Sequence, residues 1–171
     1  PKQLHLNGKD RKLYWCDREG GRIQRCNLDG SNLETLYDSA PGKLRTLGDA
    51  RDWCVGITVD NERGLVYWTQ KGGSKGGAGR ILRFNKEIPE GSTAENRADT
   101  ETLFDNLPEP IDLELDSASQ MLYWTDRGDP PFGNTLNRYE VNKRHDPSAK
   151  PAGPSASLII ADHFPEAIGL S

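Results

Sequence analysis

Apolar and polar residues alternate along this chain in short bursts, and each burst is closed by Gly, Asn, Asp or Pro. The pattern is clearest in the middle of the chain. Gly56-Ile57-Thr58-Val59-Asp60 is followed by an Asn61-Glu62-Arg63-Gly64 turn and then by the run from Leu65 to Thr69. A Gly-rich connection leads to Arg80-Ile81-Leu82-Arg83-Phe84-Asn85, and a polar stretch leads on to Thr100-Glu101-Thr102-Leu103-Phe104-Asp105. Short alternating runs bounded by turn residues predict strands. The same four segments occur earlier, as Gln3 to Leu6, Leu13 to Asp17, Arg22 to Asn27 and Leu33 to Asp38. They occur again later, as Ile111 to Asp116, Leu122 to Asp126, Thr135 to Val141 and Ser157 to Asp162. Convincing helical periodicity is absent, so the chain reads as all-β.

The second segment of each unit is one pentapeptide in three copies: Leu13-Tyr14-Trp15-Cys16-Asp17, Val66-Tyr67-Trp68-Thr69-Gln70 and Leu122-Tyr123-Trp124-Thr125-Asp126, at separations of 53 and 56 residues. A period of this size marks a repeat architecture, and four strands per repeat is the make-up of an antiparallel β-propeller blade. The expected blades cover about 1–54, 55–109 and 110–166, with 167–171 as the first strand of a fourth. Three blades cannot seal a ring, since propellers close with about four to eight. The expectation is part of a ring, completed by a complementary half or by a second copy, because an open stack exposes sheet faces and edges.

On a strand, Trp15, Trp68 and Trp124 alternate with their Tyr and Cys or Thr neighbours, which lets the indole rings fill space between radially packed sheets. Asp17 and Asp126 end their strands, where a carboxylate can bind backbone amides or an Arg of the adjacent blade. The pentapeptide is therefore read as structural.

Composition narrows the function classes. Among the 171 residues, 34 are Leu, Ile, Val or Phe, a low share for a folded domain, but four Trp and five Tyr add large apolar areas. A net charge of −4 gives no basic surface of the kind that holds nucleic acid, so nucleic acid is not an expected partner. The longest clean apolar run, Leu158 to Ala161, is far short of the roughly 20 residues that span a bilayer, so no membrane span is expected. Cys16, Cys26 and Cys54 are odd in number and form no Cys-x-x-Cys pair, so they read as reduced, partly buried thiols rather than a zinc site. The chain opens at Pro1 without a secretory leader pattern, and a cytoplasmic location is the expectation.

These motifs resemble the YWTD β-propellers, six-bladed domains first recognised in lipoprotein receptors. Arg22-Ile23-Gln24-Arg25-Cys26-Asn27-Leu28-Asp29-Gly30-Ser31 is similar to that family's third strand and its Leu-Asp-Gly-Ser turn. The chain departs from the pattern at Cys16 and Gln70, at Asn85-Lys86-Glu87, and in longer second-to-third and third-to-fourth connections. Trp53-Cys54-Val55-Gly56-Ile57, Tyr67-Trp68-Thr69-Gln70-Lys71-Gly72 and Pro108-Glu109-Pro110-Ile111-Asp112-Leu113 resemble stand-alone YWTD propellers of filamentous fungi. The resemblance implies a cofactor-free cyclase of natural-product biosynthesis, of the type that joins a quinone methide to an alkene by a hetero-Diels-Alder reaction. The competing class is a non-enzymatic propeller that grips a protein or peptide on its channel face.

In a propeller, the loops before each innermost strand and those between second and third strands emerge on one face. Trp53, Glu109, His163, Phe164 and Glu166 precede innermost strands; Asp17-Arg18, Gln70-Lys71 and Asp126-Arg127 open the second-to-third loops. From Trp to the next strand's Ile or Leu these loops span 8, 13 and 12 residues, so the longer two, Lys71 to Gly79 and Arg127 to Asn134 with Phe132, are candidate lids or channel walls. A cycloaddition needs only a water-poor pocket that poses two partners and hydrogen bonds a carbonyl gaining charge. Arg127, His163 and Gln70 are the candidate catalytic donors, and Trp53, Phe164, Glu109, Lys71 and Phe132 the candidate substrate-binding residues. No metal and no cofactor are expected: Glu109 and Asp112 alone do not define a metal site. The Lys71 to Gly79 loop lacks the spacing of a phosphate-binding P-loop and reads as a flexible hairpin.

Overall fold

A computed structural model describes residues 1–39 and 50–170. Among these described residues, twelve strands form three four-stranded antiparallel sheets. The first blade holds β1 (Leu4–Asn7), β2 (Lys12–Asp17), β3 (Arg22–Asn27) and β4 (Glu34–Asp38). The second holds β5 (Cys54–Asp60), β6 (Leu65–Gln70), β7 (Gly79–Asn85) and β8 (Glu101–Leu107). The third holds β9 (Pro110–Asp116), β10 (Met121–Asp126), β11 (Thr135–Glu140) and β12 (Ile159–Ala161). Each sheet is a plain meander, the pairing expected of blades joined by short turns. Among the described residues, helix is confined to two 3-10 turns, Ala50–Asp52 and Ala156–Leu158.

Two expected strands differ. The segment from Ser157 to Asp162 is strand only over Ile159–Ala161, because Ser155 caps a 3-10 turn ahead of it by accepting from the Ser157 amide. Residues 167–170 form no strand: an innermost strand is made by pairing with its own blade's second strand, and no such strand lies beside it among the described residues. The segment instead touches the third blade, where Leu170 N donates to Asp112 Oδ2 at 2.8 Å. Ser171 lies outside the described residues.

The pentapeptides set how blades pack. Alternation along the strand turns Trp68 and Trp124 toward the preceding blade and Tyr14, Cys16, Tyr67 and Thr69 toward the next. Accordingly, one apolar core contains Tyr14, Cys16, Ile23 and Leu36 of blade one with Ile57, Val66, Trp68 and Phe84 of blade two. A second contains Tyr67, Ile81 and Phe104 of blade two with Leu113, Leu122 and Trp124 of blade three. Trp68 packs on Phe84 and Tyr37 at centroid distances of 4.6 and 5.2 Å, and Trp124 on Phe104 at 5.1 Å, separations at which tilted rings attract. Trp15 is half-buried, for no described blade precedes it. All three cysteines are buried, and none is in a disulfide.

Polar staples join the blades at two radii. Near the channel, Thr69 Oγ1 accepts from Gly56 N of its own blade (2.8 Å) and donates to Ile111 O of the next (2.7 Å). Thr125 repeats this with Asp112 N (3.2 Å) and Ile168 O (3.1 Å), and Cys16 donates its thiol to Gly56 O (3.3 Å). The staple needs a bulge: between Cys54 and Ile57, and between Pro110 and Leu113, two inner-strand residues face one pentapeptide Thr. Farther out, Arg25 binds Glu34 of its own blade and Lys86 O and Glu87 of the next, while Arg83 binds Glu101 and the carbonyls of Lys143 and Arg144.

Candidate functional site at the channel mouth

The bulges re-aim the residues just before each innermost strand's pairing toward the channel. A cavity of about 290 Å³ opens there, lined by Lys2, Gln3, Val55, Ile111, Asp112, Ile168 and Gly169 from four successive inner segments, with Arg18, Lys71 and Arg127 at its rim. Lys2, Val55, Ile111 and Ile168 hold one equivalent position, and Gln3, Asp112 and Gly169 the next, as the strand register shows for the first three units. Gln3 ties the wall together: its Oε1 accepts from Ile57 N at 2.7 Å and its Nε2 donates to Asp112 Oδ1.

The three rim cations each follow a pentapeptide directly and each reach the residue preceding the next inner segment. The Arg18 guanidinium sits over the Trp53 ring at 4.8 Å, Lys71 Nζ donates to Glu109 Oε1 at 2.5 Å, and Arg127 Nη1 approaches Glu166 Oε1 at 3.4 Å. Cross-links double the pattern: Lys71 also faces the Trp53 ring at 5.5 Å, and Arg127 Nη2 donates to Glu109 Oε1 at 2.6 Å. The result is a ladder of cations, an aromatic ring and carboxylates along the mouth. Cation–π contact and charge-assisted bonds of this kind hold long side chains in fixed poses.

Glu109 is the hub. It is fully buried, with Lys75 N adding a third donor at 3.1 Å. Burial pushes its carboxyl up, but the bonds from Arg127, Lys71 and the Lys75 amide outweigh that and hold it below the usual carboxylate value. The Gly-rich loop from Lys71 to Gly79 thus wraps the protein's own carboxylate, and Gly77 N donates to Pro108 O beside it. Asp126 lies behind the hub. Its Oδ1 accepts from Glu109 N and Gly128 N, its Oδ2 is buried without a hydrogen bond, and burial raises its pKa to about 7 with the Glu109 charge adding to the rise. Asp17 Oδ1 caps its own turn at Gly20 N, 3.2 Å away.

Of the residues singled out from sequence, Arg127 and Lys71 line the cavity, and Trp53 and Glu109 hold those two in place. Gln70 is fully buried and does not line it. His163 is exposed and paired with Asp162, away from the cavity, and Phe132 lines none of it, its carbonyl accepting from Thr135. Phe164 sits in a neighbouring depression with Leu136 and Ile168. Lys2, Gln3 and Arg18 went unselected. The signal for Arg18 was present, because Arg, Lys and Arg follow the three pentapeptides in turn; Lys2 and Gln3 emerge only once the bulges are in register.

No family model matches this chain. It is 54% identical over 140 residues to low-density lipoprotein receptor-related protein 1 of Pyricularia oryzae, covering 80% of this chain and 43% of that protein. It is 47% identical over 174 residues to the 3-hydroxyacyl-CoA dehydrogenase-like protein LAM1 of Cochliobolus heterostrophus, covering 99% of this chain and 36% of that protein. The chain therefore spans less than half the length of these curated relatives. Its fold is similar to a chain in the crystal structure of a nidogen/laminin complex, with a TM-score of 0.57 and 23% identity over 80% of this chain and 43% of the other. The chain is thus a run of four-stranded β-propeller blades, similar in sequence to these two fungal proteins and in fold to a chain of the nidogen/laminin complex.

Proposed function

We propose that the channel mouth binds a small, flat molecule carrying an anionic or strongly polarised oxygen, and that it acts there as a cofactor-free cyclase. The observation that carries this reading is the convergence of Lys2, Arg18, Lys71 and Arg127 on one cavity whose single acidic lining residue among the described residues, Asp112, already accepts from Gln3 and Leu170. Val55, Ile111 and Ile168 supply apolar wall for a ring, and the rim cations supply donors for a carbonyl oxygen that gains charge as a cycloaddition proceeds. Fixed donors in a partly dry cleft stabilise that charge without reorganising, and holding diene and alkene together removes most of the entropic barrier. Neither a nucleophile nor a proton transfer is required. A cavity of about 290 Å³ suits a small ring system better than a protein loop, which favours the small-molecule reading over recognition of a protein partner.

The test uses the intact protein with an ortho-quinone methide precursor and an alkene, reading rate and enantiomeric excess. Catalysis gives one enantiomer above the background rate, Lys2→Ala lowers that rate about tenfold or more, the loss of one charge-assisted contact, and Trp53→Ala lowers it by releasing Arg18 and Lys71 from their ring. Lys2 is the cleaner probe, because its ammonium makes no hydrogen bond or ion pair among the described residues. Racemic product at the background rate rejects the cyclase. Salicylate titration with Lys2→Ala unchanged from the parent rejects the pocket itself and leaves a protein-recognition face.

A further inference from the structure

At the opposite end of the blades the chain builds a second concave site. The β5–β6 turn, the end of β7 and the segment after β11 meet there around a depression of about 340 Å³, lined by Arg63, Leu65, Asn85, Asn142, Lys143, Arg144 and His145. The walls come from the second and third blades alone. Three permanent cations, two side-chain amides and an imidazole converge, and among the described residues no carboxylate lines the depression. Carboxylates stand behind this lining: Glu101 pairs with Arg83, accepts from the Asp146 amide and lies 3.9 Å from His145 Nε2, Glu140 accepts from the Asn142 side-chain amide, and Asp146 binds Ser148.

The cationic segment is anchored on both sides. Arg83, almost fully buried and paired with Glu101, donates to the carbonyls of Lys143 and Arg144 at 3.3 and 3.2 Å. Val141 N donates to Gln120 O at 2.9 Å, and Asp146 N to Glu101 Oε2 at 2.8 Å. Arg63 is fixed across the depression by its bond to Val141 O at 2.6 Å. Like charges gathered around one depression repel one another, an arrangement that an anion relieves. His145 Nε2 is a further donor or acceptor there, buried without a hydrogen bond. Guanidinium and ammonium groups on a pinned backbone, flanked by amides, match the several oxygens of a phosphate better than a single planar carboxylate.

We propose that this depression is a binding site for a phosphate-bearing small anion, separate from the channel mouth. Calorimetric titration of the intact protein with inorganic pyrophosphate tests it. Saturable binding is expected, weakened about tenfold or more by Lys143→Gln with Arg144→Gln and falling steeply with added salt. Both side chains are free of hydrogen bonds and ion pairs among the described residues, so the double variant keeps the parent's melting temperature. Lys2→Ala, at the other end of the blades, leaves pyrophosphate binding unchanged, which separates this site from the channel mouth. Absence of saturable binding, an affinity unaltered in the double variant, or binding only of long polyanions overturns the proposal.

Discussion

Lys71, just after β6, donates its ammonium to Glu109, just before β9, at 2.5 Å, and both side chains are buried. Such a pair gains little over two well-packed apolar side chains, but breaking it strands a charge. Glu109→Ala strands the Lys71 ammonium and leaves Arg127 only its contact with Glu166. The variant is expected to lose about 3–5 kcal/mol of unfolding free energy. Lys75→Ala, which removes the exposed partner of Asp129, leaves the denaturant midpoint in place. Equal midpoints for parent and Glu109→Ala would show that the ladder does not hold the blades together.

The threonine staple makes a sharper claim about the pentapeptide. Thr69→Val keeps the shape of the side chain and removes the hydroxyl, leaving Gly56 N and Ile111 O without their partner in a buried joint. Each stranded group costs about 1–3 kcal/mol, so the variant is expected to fall in or above that range. Cys16→Thr installs at the first joint the residue the other two joints use, and thermal melting within about 1 kcal/mol of the parent is expected. A large loss there would mean that the thiol fills space that a threonine cannot.

Gly56 is fixed by the same joint. A Cβ at that position would stand 2.5 Å from Ile111 O and 2.8 Å from Leu113 Cδ2 of the next blade, with backbone on the near side of the clash. Gly56→Ala is therefore expected to cost about 1–3 kcal/mol or more, through separation of the second and third blades. Hydrogen exchange checks this: protection drops along β5 and β9 before it drops in β7.

The strands and the blades were legible because period-two alternation and a repeated aromatic pentapeptide are local signals, and residues such as Trp68 and Trp124 lie where alternation places them. The site was legible only in part. Arg127 and Lys71 are visible as neighbours of the pentapeptide, but the position of Glu109 before an inner strand suggests contact with substrate, whereas its role as a hub follows from two cations that arrive from other segments. His163 and Gln70 show the converse. Their positions in the chain suit a channel face, yet a positive φ of 60° accompanies the outward placement of His163 next to Asp162, and Gln70 is enclosed by its blade. Bulges decide which inner-strand residue faces the channel, and a one-residue offset is invisible in an alternating pattern.

Blade one shows what its neighbours hide. Leu4 and Leu6 are 58% and 61% exposed, whereas their counterparts in β5, Ile57 and Val59, are 1% and 5% exposed against the preceding blade. We propose that further blades, from a complementary half or a second copy, cover Leu4 and Leu6. Residues 1–171 produced alone are then expected to aggregate, and Leu4→Lys with Leu6→Lys to shift the material toward the soluble fraction. A parent segment that is a cooperatively folding monomer in sedimentation and melting would refute this.

Asp126 gives a dependence on pH with a defined sign. Its pKa is about 7 in the fold against roughly 3.9 in an unfolded chain, so between those values the folded state carries the proton and the unfolded state does not. Stability from this group is present at low pH and declines as pH rises from about 4 to about 7, with a slope of at most about 1.4 kcal/mol per pH unit. Glu109 acts oppositely and in a different window: its folded pKa is depressed, so its contribution is present above the unfolded value and is lost as acid protonates it. Asp126→Asn retains an oxygen for the amides of Glu109 and Gly128 while removing the titration. Its buried amide nitrogen lowers the absolute stability, so the informative quantity is the slope. Urea midpoints measured from pH 4.5 to 7.5 are expected to decline less steeply in Asp126→Asn than in the parent, while acid unfolding below pH 4 stays unchanged. Parallel slopes in that window would mean that Asp126 is ionised throughout and that its buried oxygen has a partner, such as an ordered water, that offsets the burial.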